Sequence, residues 1–426
     1  MAITDRLSRS LVLHIVKRLL DMGIAVYLIF IPLIIITGGF KINLLGISIK
    51  ATHVYTPIKI VIPLVLIRML ITFRTKNILL LFVSIFMTLL AAEIALRLWN
   101  PAIAEPSMSQ IHQASPVYGW EHVPGSFGIG SLGESYRINS AGFRDTKNTL
   151  RKKPGIKRIM VIGDSFTFGV RVNLEDTYPK QLEELLNKSN MACEVINCGV
   201  IGHNMWQHYE MLRNKVLPYE PDLVVLGLFQ DDLACSVRPY DESEGYQGHN
   251  PFEERGASGI LSRVSLWNFL KNANALFEYK YRYRRGYTYM RSIEDRKKKW
   301  GPANPTNANY MIMSGKIKKR KYIEFSEALQ QFAITADKEG ARVLVVLIPD
   351  SVQLNDPHMQ AVNRFVEQVC VELKIPFIDV TPILEGQEDH NPLYLFPFDA
   401  HNSPKGLQLI AKSIGDQITK LGLLAS

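Results

Sequence analysis

The sequence predicts a three-layer α/β domain with a parallel sheet, preceded by transmembrane helices, and three observations carry that expectation. The 426 residues are 47% hydrophobic, and the longest uncharged apolar runs crowd into the first hundred positions. From residue 157 onward, short apolar runs alternate with segments of helical pattern. Each of those runs is continuously apolar instead of alternating, as strands are when a parallel sheet buries both their faces.

The membrane region is expected over 1–100. Met22–Gly38 carries no charge, Ile78–Trp99 is apolar as far as Glu93, and Ile58–Phe73 is interrupted by Lys59 and Arg68. All three approach the roughly 20 residues that cross a bilayer, so spans are expected at 22–38, 58–73 and 78–99. Arg68 is placed to snorkel toward Arg74 and Lys76, and Glu93 to pair with Arg97 one helical turn on. Arg6, Arg9, Lys17 and Arg18 precede the first span, and Arg74 and Lys76 lie between the second and third. Positive charge marks the cytoplasmic side. Three spans therefore make a multi-pass protein of the inner (cytoplasmic) membrane with its remainder outside; two would leave that remainder inside. A cleavable signal peptide is not expected, because no small-residue cleavage site follows the first run.

Residues 101–156 read as a polar, irregular lead-in marked by "YGWEHVPGSFG" and "INSAGFRD", and the α/β domain is expected over 157–426. Strands are expected at Arg158–Ile162, Cys193–Asn197, Leu223–Phe229, Val343–Ile348 and Phe377–Val380. Asp356 and Pro357 read as N-cap and first-turn proline of one helix, Ser326 as the start of another. Ser403 and Pro404 open the last, which runs toward Gly422. The stretch of about 236–322 interrupts the alternation, is long for a functionless loop, and reads as a lid or substrate-facing insertion.

Part of the net charge of +9 lies between Lys280 and Lys321. It suits a solvated or membrane-facing surface, or a patch for an acidic glycan or anionic headgroups. Tyr281, Tyr283, Tyr287 and Tyr289 interleave with these charges as on nucleic-acid stacking surfaces, but an exterior location argues against nucleic acid as a partner. Of four cysteines (Cys193, Cys198, Cys235, Cys370), the first two point to opposite faces of one strand and should not bridge. No CxxC or His/Cys cluster suggests a metal, and no cofactor is expected.

Every strand delivers polar groups to the carboxyl edge of the sheet, where open α/β folds build their sites. Ser165 follows the first; Gly199, Gly202 and Asn204 follow the second; Gln230, Asp231 and Asp232 follow the third; Asp399 and His401 stand before the last helix. A serine nucleophile needs a base for its proton, an acid to hold the base's tautomer, and N–H donors for the oxyanion. All four parts are present, and the order Ser, Asp, His is compatible with a triad. His203 and His208, placed on the helix after Gly202, read as surface or packing residues, and Trp206 as core.

The blocks "GDSFTFG", "NCGVIGHN", "GLFQDDL" and "DAHNSPKG" resemble, in order, the four blocks of the SGNH/GDSL hydrolases. The likeness covers roughly residues 115–422, and its upstream "INSAGFRD" is similar to the lead-in of membrane-anchored bacterial members. The resemblance implies a flavodoxin-like fold and ester hydrolysis or acyl transfer, often on O-acyl groups of exported glycans. It implies that Ser165 is the nucleophile, His401 the base and Asp399 the acid. Gly202 and the Ser165 N–H would be oxyanion donors.

Two departures stand out. The third block normally supplies an Asn, and equal-length alignment puts Asp231 there. An ionised carboxylate donates no hydrogen bond. Either Gln230 takes the role, or Asp231 is held protonated, or two donors suffice. The second departure is spacing: Asp399 lies two residues before His401, where many members have three. Some glycan-acylating relatives share the shorter spacing. The leading expectation is thus a membrane-anchored serine esterase, deacetylase or O-acyltransferase acting on an acylated envelope or exported glycan. The alternatives are a lipid or thioester hydrolase, and a non-catalytic glycan-binding protein that has lost the oxyanion Asn.

Overall fold

The computed structural model describes residues 2–99 except 38–39, 45–46, 52–54 and 73–74, and residues 111–234 except 131–132 and 147–148. It further describes residues 264–270, 273, and 292–424 except 303, 305 and 397–398. Cys235, the Tyr281–Tyr289 cluster and much of the expected insertion lie outside the described residues. The chain divides into two compact units, one N-terminal and one carrying the sheet.

In the first unit, helix α1 (Ala2–Thr37) leads into an antiparallel hairpin of β1 (Phe40–Leu44) and β2 (Ile47–Ala51), then α2 (Tyr55–Thr72) and α3 (Thr75–Trp99). Among the described residues one helical stretch, Leu80–Trp99, is long and apolar enough to cross a membrane, while the apolar part of α2, Ile60–Met69, is shorter. Leu80 and Leu98 on α3 are 74% and 83% exposed, so the helix turns apolar side chains outward. Arg74 lies outside the described residues, and Arg68 has a partner the apolar pattern does not indicate. It reaches across to α1 and holds Asp21 with two bonds, Nε–Oδ1 at 2.7 Å and Nη2–Oδ2 at 3.1 Å, because a planar guanidinium matches a carboxylate in this forked geometry. Glu93 and Arg97 pair at 2.6 Å.

In the second unit, five parallel strands stand in the order β8, β7, β9, β10, β11. They are β7 (Lys157–Gly163), β8 (Cys193–Asn197), β9 (Leu223–Leu228), β10 (Arg342–Leu347) and β11 (Phe377–Asp379). Numbered along the chain, this order is 2-1-3-4-5, the flavodoxin-like arrangement, and it reverses between β7 and β9. Both faces are covered. Ile159 and Val161 of β7 pack with α5 (Tyr178–Lys188) and α12 (Pro404–Lys420) through Leu182, Ile410 and Ile414. Met160 and Ile162 face α6 (Met205–Met211), α9 (Lys319–Lys338) and α10 (Ala361–Glu372) through Met205, Phe325, Phe332 and Val366. Each such fully buried side chain contributes roughly 1.5–3 kcal/mol, which is why the strands read as unbroken apolar runs.

Two expectations change. The lead-in is not irregular throughout: it forms two antiparallel hairpins, β3 (His112–Ser115) with β4 (Gly119–His122) and β5 (Phe127–Ile129) with β6 (Ser135–Arg137). Helix α9 begins at Lys319 rather than Ser326, whose hydroxyl donates inside the helix to the Tyr322 carbonyl at 2.9 Å. The region of about 236–322 also contains regular structure, α7 (Ile293–Trp300) and α8 (Ala308–Met313). Asp356 does cap a 3-10 turn, Pro357–Gln360, ahead of α10, and Ser403 caps α12, which ends at Lys420.

Candidate active site

Strand β7 ends at Gly163, where a Cβ would lie 2.0 Å from Thr167 Oγ1 and 2.6 Å from the Gly227 carbonyl oxygen on β9. No other residue fits this close approach. Asp164 then caps a one-turn helix, α4 (Ser165–Phe168), its Oδ1 accepting from the Phe166 N–H at 2.9 Å. From Val161 to Val170 every residue is buried except Ser165. The turn thus lifts one hydroxyl out of a packed strand and helix.

His401 meets that hydroxyl from the loop before α12. Its Nε2 lies 2.9 Å from Ser165 Oγ and its Nδ1 2.7 Å from Asp399 Oδ1. The ring rests on Phe166 at 4.6 Å between centroids, and Phe166 stacks on Phe229 at 4.1 Å. Asp399 Oδ1 also accepts from the backbone N–H of Ala400 and of His401, at 2.6 and 3.2 Å. Burial alone would raise the Asp399 carboxyl. Attraction to His401, the hydrogen bonds from it and the charge of Arg171 outweigh burial and hold it far below the usual carboxylate range. Asp164 goes the other way, raised well above that range by burial and then by the nearby Asp232 charge.

The loop after β8 brings the second element. Gly202 has φ +76°, a left-handed conformation that favours glycine, and its N–H has no acceptor among the described residues. Trp120 of β4 pins this loop from outside, its Nε1 donating to the Ile201 carbonyl at 2.8 Å. Asn204 is a helix cap, accepting from the Trp206 and Gln207 N–H groups. His203 precedes α6 and His208 lies on it; both are buried, and burial pushes both down to about 3. Neither is a surface residue. Trp206 is half-buried against the core.

The third loop opens with a 3-10 turn, Gln230–Ala234. Asp231 reaches solvent, yet the surrounding protein, and then the Asp350 charge, push its carboxyl up to about 6. Arg296 and His401 pull in the opposite direction. Gln230 is buried and its Nε2 donates to Asp350 Oδ2 at 3.4 Å. Asp350, at the end of β10, is held by Arg296 of α7 through two bonds of 2.7 and 2.5 Å. The described part of the insertion is thereby fastened to the carboxyl edge of the sheet. Among the described residues no group of three His, Cys, Asp or Glu side chains could hold a metal ion.

The motif "INSAGFRD" braces the Ser165 turn. Asn139 Oδ1 accepts from the Ala141 and Phe143 N–H groups, folding the motif into a tight turn. Arg144, fully buried, donates to the carbonyls of Phe168, Gly169 and Val172 that follow Ser165, and lies over the Tyr136 and Phe168 rings. Asp145 accepts from the Asn197 N–H at the end of β8 at 2.8 Å and from Lys180 of α5 at 3.1 Å.

Comparison with known proteins agrees with this architecture. Residues 161–409, more than half of the chain, match the GDSL-like Lipase/Acylhydrolase family. The chain belongs to that family. Its members hydrolyse ester bonds, and this acylhydrolase is similar in structure to a lipase/acylhydrolase from Enterococcus faecalis at 14% identity and TM-score 0.36, covering 62% of this chain and 97% of that one. It is also similar to an acetylxylan esterase from Geobacillus stearothermophilus at 13% identity and TM-score 0.35, covering 62% of this chain and 94% of that one. No curated protein matches.

Several residues of this acylhydrolase site escaped sequence reasoning. Arg171 donates from Nε to Asp399 Oδ2 at 2.7 Å, and a signal existed: it is the one charge in the apolar run from Phe166 to Val172. Arg144, Asp145, Arg296 and Asp350 left a weaker sign, since each looks like ordinary loop charge until its distant partner is known.

Proposed function

We propose that this acylhydrolase is a membrane-anchored serine esterase or O-acyltransferase, with its catalytic unit outside the cytoplasmic membrane and an acylated envelope or exported glycan as substrate. The observation that carries the catalytic part is the continuous line of contacts from Ser165 Oγ through His401 to Asp399, 2.9 and 2.7 Å. His401 Nε2 takes the proton from Ser165 as Oγ attacks the ester carbonyl. The tetrahedral oxyanion is met by the N–H groups of Ser165 and Gly202. Collapse breaks the ester C–O bond, His401 returns its proton to the leaving alkoxide, and the acyl group remains on Ser165. Water, or a sugar hydroxyl in transfer, then gives its proton to His401 and attacks the acyl carbon; collapse breaks the bond from that carbon to Ser165 Oγ, and His401 returns the proton to Oγ.

The outward apolar surface of α3 supports the membrane anchor, and α1 and α2 are proposed to cross with it. The short Asp399–His401 spacing and the charge of the insertion support a carbohydrate substrate over a lipid one. A membrane-impermeant fluorophosphonate applied to intact cells is expected to label Ser165. Labelling only after the membranes are opened would place the catalytic unit in the cytoplasm and remove the glycan assignment.

Asp231 supports a second reading, a glycan-binding protein without turnover. With a carboxyl at about 6, about nine-tenths of Asp231 is ionised at pH 7, repels an oxyanion and donates nothing. On the enzymatic reading, turnover falls as pH rises above about 6 because the neutral, donating form is lost. Asp231→Asn supplies a donor at every pH. It is expected to flatten that fall and raise kcat at pH 7 by up to about tenfold, the factor by which the neutral form is depleted there. A wild type without esterase activity that gains it through Asp231→Asn would establish the binding-protein reading.

A further inference from the structure

We propose that Arg171 is a positioning residue of this site: its guanidinium holds the outer oxygen of Asp399, and the lead-in sequence, through Tyr136, holds Arg171. The inference rests on the triad proposed above and concerns what sets its geometry.

The two oxygens of Asp399 have different partners. Oδ1 is wrapped by its own loop, through the N–H groups of Ala400 and His401 and the His401 ring. Oδ2 receives Arg171 Nε at 2.7 Å, from a residue 228 positions away in sequence. Arg171 lies six residues beyond Ser165, so the ion pair ties the acid's loop to the nucleophile's turn. A carboxylate gripped by its own loop alone can still pivot with that loop. A bond from the nucleophile's side of the site removes the freedom. The side chains of the pair are 27% and 21% exposed, sheltered enough to outlast the screening that weakens surface pairs.

The backbone of Arg171 is built for this one bond. Its φ is +63°, a left-handed conformation that a residue with a Cβ seldom adopts without compensation. The compensation comes from the lead-in. The Arg171 N–H donates to the Tyr136 hydroxyl at 2.9 Å, and that hydroxyl in turn donates to Glu134 Oε1 at 2.6 Å. Tyr136 is fully buried, with its ring 5.3 Å from Phe168 and the Arg144 guanidinium 4.7 Å above it. A line of contacts therefore runs from Glu134 through Tyr136 and Arg171 to Asp399, His401 and Ser165.

The cation has an electrostatic effect as well. It shares the Asp399 charge with His401, so it weakens the pull of that carboxylate on an imidazolium. The other charges that face His401 are Asp164 at the start of α4 and Asp231 after β9, the latter shared with Arg296 and Asp350. None of these contacts Asp399 Oδ2.

The test uses the full chain in native membranes, with Arg171→Gln, Arg171→Lys, Asp399→Asn and the Arg171→Gln/Asp399→Asn double variant. The readout is the second-order rate of fluorophosphonate capture at Ser165. Arg171→Gln is expected to slow capture about tenfold and Arg171→Lys to recover part of the loss, while in the Asp399→Asn background Arg171→Gln changes the rate less than about twofold. Equal losses in both backgrounds would mean that Arg171 serves the fold and not Asp399, which overturns the proposal. A second readout does not depend on chemistry at Ser165: carbethoxylation of His401 followed by mass spectrometry across pH. Loss of the cation favours the imidazolium, so the midpoint in Arg171→Gln is expected to move up by roughly half to one pH unit. An unmoved midpoint counts against the proposal even where capture is slowed. A wild type that resists capture would refute the esterase reading, and the midpoint would still decide the role of Arg171.

Discussion

Ser165→Ala is expected to abolish covalent capture by fluorophosphonates and to lower ester turnover by roughly 10⁴–10⁶. The residue is the single accessible position in a buried stretch, and the only hydroxyl in contact with His401 Nε2 among the described residues. Alanine removes the attacking oxygen without opening a cavity, because the side chain already faces solvent. Its other contact is a weak one to Asp164 Oδ2 at 3.3 Å, so the melting temperature should change little. The variant then separates chemistry from folding. Capture that persists unchanged would place the nucleophile elsewhere and refute the mechanism.

Asp399→Asn is expected to cost about 10⁴ in kcat with the fold intact. The carboxylate accepts from His401 Nδ1–H and thereby leaves Nε2 free to accept from Ser165. An amide that presents its NH2 to the ring makes Nδ1 the acceptor and drives the proton to Nε2, where it blocks the serine. The alternative orientation turns the NH2 toward Arg171, two donors facing one another in place of the ion pair at 2.7 Å. Either orientation removes a contact the site uses. Measurement of kcat on a chromogenic ester, with circular dichroism as the folding check, decides it. A loss under tenfold would mean that Asp399 does not orient the base.

The sheet was legible because its strands carry their evidence locally. Cys193–Asn197 is found with the same limits that its apolar pattern indicates, and the other four strands agree within one residue at each end. The edge positions were legible for a related reason: a polar residue that ends an apolar run marks the point where a buried strand surfaces. Contacts between distant segments leave no such mark. Arg171 and Asp399 lie 228 residues apart, and nothing beside either names the other. The start of α9 was misplaced because the capping residue, Lys318, supplies no side-chain bond, and the basic first turn opposes the helix dipole. His203 and His208, left open between surface and packing, are buried and so take the packing alternative, a choice that a polar residue's name does not make on its own.

Arg144 and Asp145 also decide where a soluble piece of this chain can begin. Judged by the sheet, a fragment started at Lys157 would look complete, with every strand and all three residues of the Ser165, His401 and Asp399 line. It would nevertheless strip the Phe168, Gly169 and Val172 carbonyls and the Asn197 N–H of their partners, and leave Arg171 without Tyr136. Dissection from the N-terminal helices therefore has to cut before Ile111, the first buried residue of the lead-in among the described residues, since a cut at the sheet removes the foundation and keeps only the superstructure.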